Sequence, residues 1–353
     1  MTERVLMKGN EAMAEAALQA GCRYFFGYPI TPQTEVAAYM AKRMPPLGGT
    51  YLQAESEVAA INMVLGAASA GARVMTSSSS PGISLKSEGI SYLAGSDLPC
   101  VILNVQRGSP GLGGIQPSQA DYWQATKAPG HGDFHIIVLA PSTVQEMVDA
   151  VVNAFNMADR YRMPAMVLAD GMLGQMMEPV VFPKISADDI PDKPWATNGH
   201  KFKRGHNVVT SLYLIPEVLE KTIVERFQRY ELIKEREARA ESFMAEDADI
   251  LLVAYGATAR IVKSVVTAAR AQGMKAGLIR PITLWPFPAA AIGAGLARAK
   301  QAICVEMSMG QMVDDVRLLA GACPVRFVGR TGGVVPTPAE VLAAIREANG
   351  GRK

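Results

Sequence analysis

Four short segments carry the side chains that could do chemistry: Tyr28 to Thr31, Gln53 to Glu57, Ser77 to Gly82 and Gln106 to Gly114. Each follows a run that reads as a strand. Between them they hold a hydroxyl beside a proline (Thr31-Pro32), two carboxylates (Glu55 and Glu57), four serines in a row (Ser77 to Ser80) and a guanidinium (Arg107). A carboxylate can exchange a proton with a bound group. A guanidinium can grip a carboxylate through two hydrogen bonds. Each residue also has a purely structural explanation. Glu57 falls in the first turn of a predicted helix, where the dipole favours negative charge whatever its job. Thr31 before Pro32 has the form of an N-cap followed by a first-turn proline. Serines ahead of Pro81-Gly82 are ordinary turn residues, and Arg107 at a strand end could serve a surface ion pair.

Other chemistries find less support. His131 and His135 are four apart, but no third ligand stands at metal spacing, which favours a structural role. The segment Gly108 to Gly114 lacks the lysine and the spacing of a phosphate-binding loop, and no Gly-x-Ser-x-Gly elbow comes with a plausible triad. Cys22, Cys100, Cys304 and Cys323 are isolated in apolar surroundings with no Cys-x-x-Cys pair, so buried free thiols are expected rather than a zinc or iron–sulfur site. The 19 methionines read as flexible core packing.

The elements that must position the four segments alternate between helix and strand. Asn10 can cap a helix that ends at Gly21, and Tyr24 to Phe26 is a short strand. Thr31-Pro32 opens a helix to about Arg43. Thr50 to Gln53 is a strand and a helix runs from near Glu55 to Gly71. Arg73 to Thr76, Val101 to Val105 and Ala165 to Leu168 are further strands, with Ser142 to Gln145 at capping-box spacing before a long helix. Such alternation implies an α/β fold with a mainly parallel sheet covered on both faces. Ligands bind such sheets in the crevice beyond the carboxyl ends of the strands. All four segments fall on that edge.

The pattern breaks from about Pro183 to Asn207, where Pro183, Pro191, Pro194, Asp188, Asp189, Asp192 and Gly199 give the composition of a linker. Residues 217–246 suggest one exposed amphipathic helix, with Leu219, Ile223, Phe227 and Leu232 at helical spacing. A second α/β unit begins at Ile250, with later strands at Ala276, Ala302 and Val325. The expected organisation is a first domain over 1–182, a linker with its helix over 183–246 and a second doubly wound domain over 247–353. At 353 residues, two domains are the prior. With 35 basic and 33 acidic residues, net +2, nothing points to nucleic acid or an anionic membrane as a partner. No apolar run approaches the ~18 residues of a membrane span. Met1-Thr2-Glu3-Arg4 does not resemble a secretory signal, so a soluble, cytoplasmic protein is expected.

Tyr28-Pro29-Ile30-Thr31-Pro32, Glu55-Ser56-Glu57 before an Ala-rich helix, and Gln106-Arg107-Gly108 at a strand end occur here together. Together they resemble the pyrimidine-binding domain of 2-oxoacid:ferredoxin oxidoreductases, the thiamine-diphosphate-dependent family. Glu306 to Met312 and Gly332-Gly333 are similar to the family's second domain, which is transketolase-C-terminal-like, so the resemblance covers almost the whole chain. Ser77 to Gly82 and the loop from Gly108 to Gln119 look closest to the 2-oxoisovalerate (3-methyl-2-oxobutanoate) branch. The 2-oxoglutarate branch, and a transketolase or 2-oxoacid-dehydrogenase component without ferredoxin, are the alternatives. The resemblance implies that Glu57 hydrogen-bonds N1′ of the thiamine aminopyrimidine and promotes the 4′-imino form that deprotonates thiazolium C2. Glu55 is the competitor, but the family's Ser-Glu register favours Glu57. It also implies that Thr31 donates its hydroxyl to substrate, that Arg107 receives the 2-oxoacid carboxylate, and that Pro29 and Ser79 line the cofactor.

The family holds the diphosphate and its Mg²⁺ on a Gly-Asp-Gly motif followed by an asparagine. Ala169-Asp170-Gly171 with Asn198 is the nearest approach here. It lacks the first glycine, and its asparagine lies beyond the linker, so a structural role is expected for Asp170. The resemblance therefore implies partner chains: a diphosphate-binding β-type subunit with Mg²⁺, a γ-type subunit, and a ferredoxin-like δ-type subunit holding 4Fe–4S clusters. Coenzyme A is the implied acyl acceptor and ferredoxin the implied electron acceptor. The implied reaction is oxidative decarboxylation of a 2-oxoacid, with this chain inactive alone.

Overall fold

The computed structural model describes residues 4–183 and 190–350. Of the expected linker, Asp188 and Asp189 lie outside the described residues. The chain opens with β1 (Val5–Lys8) and α1 (Gly9–Gln19), then β2 (Tyr24–Gly27), α2 (Thr34–Arg43), β3 (Thr50–Gln53), α3 (Glu57–Ser69) and β4 (Val74–Ser78). Next come α4 (Ser80–Gly95), β5 (Cys100–Gln106), α5 (Tyr122–Thr126), β6 (Ile137–Leu139), α6 (Val144–Tyr161), β7 (Pro164–Asp170), α7 (Gly171–Gln175) and β8 (Met177–Val180). The long α8 (Pro216–Glu237) leads to β9 (Ala240–Phe243), β10 (Ile250–Val253), α9 (Gly256–Ala271), β11 (Ala276–Pro281) and β12 (Thr283–Trp285). The chain closes with α10 (Ala289–Arg298), β13 (Gln301–Glu306), α11 (Met312–Leu318), β14 (Val325–Gly329) and α12 (Pro338–Ala348).

Two large sheets result. The first has the order β12-β6-β7-β5-β4-β2-β3, parallel throughout except at its β12 edge. Every residue of β5 and β7 is buried, which is why these strands read as unbroken apolar runs rather than alternating ones. The second sheet has the order β14-β13-β10-β11-β9, parallel but for β9. The α/β architecture with mainly parallel sheets is therefore as expected.

Several local expectations shift. Asn10 does not cap α1: Lys8 is the N-cap, and the buried Asn10 amide donates to the Pro32 carbonyl and Glu35 Oε2, both at 2.8 Å. Thr31 is not a cap either; α2 starts at Thr34, and Thr31-Pro32 belongs to the loop before it. The cap of α6 is Thr143 rather than Ser142, its hydroxyl accepting from Glu146 N at 3.0 Å. The stretch 217–246 is not one helix: α8 ends at Glu237, and Ala240–Phe243 pairs with β11. Conversely β12, within the expected second domain, pairs with β6 of the first sheet. The linker thus supplies an edge strand to the second sheet, and the second domain supplies one to the first. Arg280 on β11 is 4 % exposed at its side chain and forks onto Glu146 of α6 at 2.8 and 2.9 Å while reaching Glu241 at 2.8 Å. That bidentate pairing adds orientation as well as energy to the seam.

Candidate active site

Strands β3, β2, β4 and β5 are neighbours, and their carboxyl ends deliver the four segments singled out above to one edge. Ser56 caps α3, its hydroxyl accepting from Ala59 N at 3.1 Å, and so sets Glu57 in the first turn. Glu57 is buried at 6 % exposure, whereas Glu55, two residues earlier, is exposed. Gly82 in the first turn of α4 makes room for it: a Cβ there would lie 2.7 Å from Glu57 Oε1 and collide with the Ser78 hydroxyl. Among the described residues, none donates a hydrogen bond to the Glu57 carboxylate. Buried polar groups are normally satisfied, so an open carboxylate in this crevice suits a donor brought by a ligand.

The serine run divides into anchors and open hydroxyls. Ser77 donates to Gln33 Oε1 at 2.5 Å, fastening β4 to the loop before α2. Ser80 adopts φ +20° and donates to Asp121 Oδ2 at 2.7 Å, while accepting from Arg107 N at 3.1 Å. Asn104 Nδ2 also donates to Asp121, at 2.9 Å. Burial raises the Asp121 carboxyl's affinity for a proton, and those two donors oppose the shift. Ser78 and Ser79 are fully buried with hydroxyls that meet no partner. Ser79 is the N-cap residue of α4 by position, yet its side chain caps nothing.

Arg107 is buried rather than engaged in a surface ion pair. Its Nη1 donates to the Thr31 carbonyl at 3.0 Å and its Nη2 to the Leu112 carbonyl at 3.1 Å, leaving Nε buried and unpartnered. The guanidinium therefore joins the Thr31 loop to the 108–114 loop, and the Thr31 side chain stands exposed beside it. Pro29, also exposed, lies two residues upstream. Glu57, Ser79, Arg107, Thr31 and Pro29 thus share one sheet edge.

The second sheet braces this edge. Gln119 donates to the Tyr255 carbonyl at 2.8 Å and accepts from Met307 N at 2.9 Å and from the Thr258 hydroxyl. Gln311 accepts from Trp123 N at 2.9 Å and donates to the Ala120 carbonyl at 2.8 Å. The Glu306 carboxylate accepts from Met312 N at 3.0 Å and Val313 N at 2.9 Å, a structural duty at the start of α11. Gly333, at φ +96°, packs on Gln116, where any Cβ would clash.

Asp170 is spent as a cap: its Oδ1 accepts from Met172 N at 2.9 Å and Leu173 N at 3.1 Å, and burial pushes its pKa up to about 6. Asn198 accepts from Arg204. Among the described residues no three His, Cys, Asp or Glu side chains gather as a metal site. Cys22, Cys100 and Cys304 are buried, with burial pushing the first two thiols up to about 12; Cys323 is half-buried. His135 stacks on Trp285 at 4.8 Å. Sequence reasoning missed Gln33, Asn104, Asp121 and Lys86. For Lys86 alone a signal existed: a charge on a helix face otherwise made of Gly82, Ile83, Gly89 and Ile90.

Comparison with known proteins agrees along nearly the full chain. Residues 15–242 match the family model described as pyruvate flavodoxin/ferredoxin oxidoreductase, thiamine diphosphate-binding, and residues 248–341 match pyruvate:ferredoxin oxidoreductase core domain II. The ketoisovalerate oxidoreductase subunit VorB of Methanothermobacter marburgensis is 49% identical over 98% of each chain. The 2-oxoglutarate synthase subunit KorA of Methanothermobacter thermautotrophicus is 37% identical over 99% of this chain and 100% of its own. A solved structure of 2-oxoglutarate:ferredoxin oxidoreductase from Magnetococcus marinus, with 2-oxoglutarate, coenzyme A and succinyl-CoA bound, superposes with a TM-score of 0.87 at 29% identity. The match covers 98% of this chain but 65% of that longer one. No helix among the described residues is long and apolar enough to cross a membrane. With a buried open carboxylate at the strand edge and both family domains in order, the chain belongs to the pyruvate:ferredoxin/flavodoxin oxidoreductase family of thiamine-diphosphate enzymes.

Proposed function

We propose that this chain is the pyrimidine-side subunit of a 2-oxoacid:ferredoxin oxidoreductase that converts a branched-chain 2-oxoacid to its acyl-CoA. The observation that carries the reading is the buried Glu57 carboxylate, unpartnered within the described chain and held at the sheet edge by Ser56 and Gly82. Thiamine diphosphate, when bound, supplies the carbanion chemistry that cleaves the 2-oxoacid. Glu57 shares a proton with the pyrimidine ring, and Pro29 and Ser79 line that ring. Arg107 orients the substrate carboxylate through its free N–H groups, and Thr31 donates its hydroxyl to the substrate. The branched-chain assignment rests on the higher identity to the ketoisovalerate subunit than to the 2-oxoglutarate one. The division into residues 1–182, 183–246 and 247–353 is retained as the functional organisation, with β9 and β12 crossing it.

Diphosphate, Mg²⁺ and 4Fe–4S clusters are assigned to β-type and δ-type partners, with a γ-type chain completing a cytoplasmic complex. Asp170 is committed to capping α7, and three of the four thiols are buried apart, which supports that assignment. Anaerobic purification of the native complex tests it: iron and acid-labile sulfide should co-purify, and a complex without either would refute the ferredoxin reading. This chain alone should show no turnover. Arg107→Lys in the reconstituted complex should raise KM for the 2-oxoacid about tenfold or more, because an ammonium cannot hold two carbonyls and fork onto a carboxylate. An unchanged KM would remove Arg107 from the substrate site.

A further inference from the structure

Helices α3 and α4 pack against each other beside Glu57. Gly82, Lys86 and Gly89 fall on one face of α4, spaced by four and three residues. A Cβ on Gly82 would press on Glu57, and one on Gly89 would collide with Ile61, one turn along α3 from Glu57. Lys86 sits between these two glycine contacts. Its side chain has no exposure, and its Nζ has no hydrogen-bond partner. A buried ammonium without a partner is costly.

The surroundings identify what it answers to. Strands β4 and β5 carry no acidic or basic side chain. Asp121 faces Ser80 and Asn104, Asp170 caps α7, and Glu88 on α4 itself is exposed and bonded to Tyr92. Glu57 is the charge that acts on Lys86, raising its proton affinity against the burial that lowers it to about 8. The two do not form a direct ion pair.

Resting on the reading of Glu57 as the cofactor-side carboxylate, we propose that Lys86 is a positioning residue for that proton relay. Its buried ammonium, lodged between Gly82 and Gly89, is the chain's own counter-charge to the Glu57 carboxylate until the thiamine ring is bound against it. A positive charge near the carboxylate also opposes a second proton arriving on the carboxylate–ring pair. Lys86 touches neither cofactor nor substrate; it acts through Glu57.

Two measurements test this. In the full chain labelled with ¹³Cε-lysine, the Lys86 resonance is found by its loss in Lys86→Met. Its titration midpoint should fall by about one unit or more in Glu57→Gln, the effect of losing a nearby opposite charge. An identical midpoint in both proteins would overturn the pairing. In the reconstituted complex, Lys86→Met should move the acid limb of the kcat/KM profile upward by about one unit, and Lys86→Arg should move it less. An unmoved limb would overturn the role. Should Lys86→Met fail to assemble, the lysine titration in Glu57→Gln still decides the pairing. If instead Glu57→Gln retains wild-type turnover, the reading of Glu57 fails, a result distinct from failure at Lys86.

Discussion

Glu57→Gln in the reconstituted complex should lower 2-oxoacid-dependent reduction of a viologen dye by at least ~100-fold, the range of a lost acid/base contribution. Glutamine fits the same volume and can still hydrogen-bond a ring nitrogen, so the substitution leaves the close fit beside Gly82 intact. What it cannot do is give or take a proton. The site is tight enough for that distinction to be clean: Glu57 is 6 % exposed, and only a glycine at position 82 clears its carboxylate. Thiamine diphosphate should still bind, measured by calorimetry on the same preparation. Wild-type turnover in Glu57→Gln would refute the acid/base role. Loss of cofactor binding without folding loss would recast Glu57 as a holding residue only.

The edge that carries the site was legible in the sequence because parallel strands announce themselves. The strands that carry the site open on short apolar runs, and the chemistry-bearing residues stand at or just past their carboxyl ends. Thr50–Gln53 is a strand over the residues expected. What was not legible is how side chains are used once the chain closes. Asn10 and Thr31 both have capping chemistry, yet α1 takes Lys8 as its N-cap and Asn10 reaches across 22 residues to Pro32. Capping is a local preference worth about 1 kcal/mol, and a buried amide with two carbonyl or carboxylate partners outweighs it. The edge pairings of β9 and β12 were likewise invisible, since three- and four-residue strands carry too little pattern to name their partner. Asp121 and Gln119 sit in a segment without periodicity, and only the folded chain brings them to Ser80 and Tyr255.

Lys86 carries the second large effect, and its sign runs against the usual expectation for removing a charged residue. In the folded chain burial holds its pKa down to about 8, against an ordinary 10.5. Below pH 8 both folded and unfolded chains bind the proton, and the folded state bears the whole penalty of the buried ammonium. Between pH 8 and 10.5 the unfolded chain binds more protons than the folded one, so stability rises with pH as the penalty fades. A difference of that size corresponds to about 3 kcal/mol, already net of the attraction from Glu57. Lys86→Met keeps the apolar stem between Gly82 and Gly89 and deletes the charge. The variant chain should therefore be more stable than wild type at pH 7 by up to about 3 kcal/mol, a rise of several degrees in Tm. The gap should close as pH approaches 10.5. Calorimetry of both chains across pH 7 to 10.5 reads it, and the difference cancels the other lysines. A variant that melts at or below wild type at pH 7 would show that the ammonium is better solvated than its burial indicates. A variant that is more stable, yet displaced in its turnover profile, would show a charge kept for Glu57 at the expense of the fold.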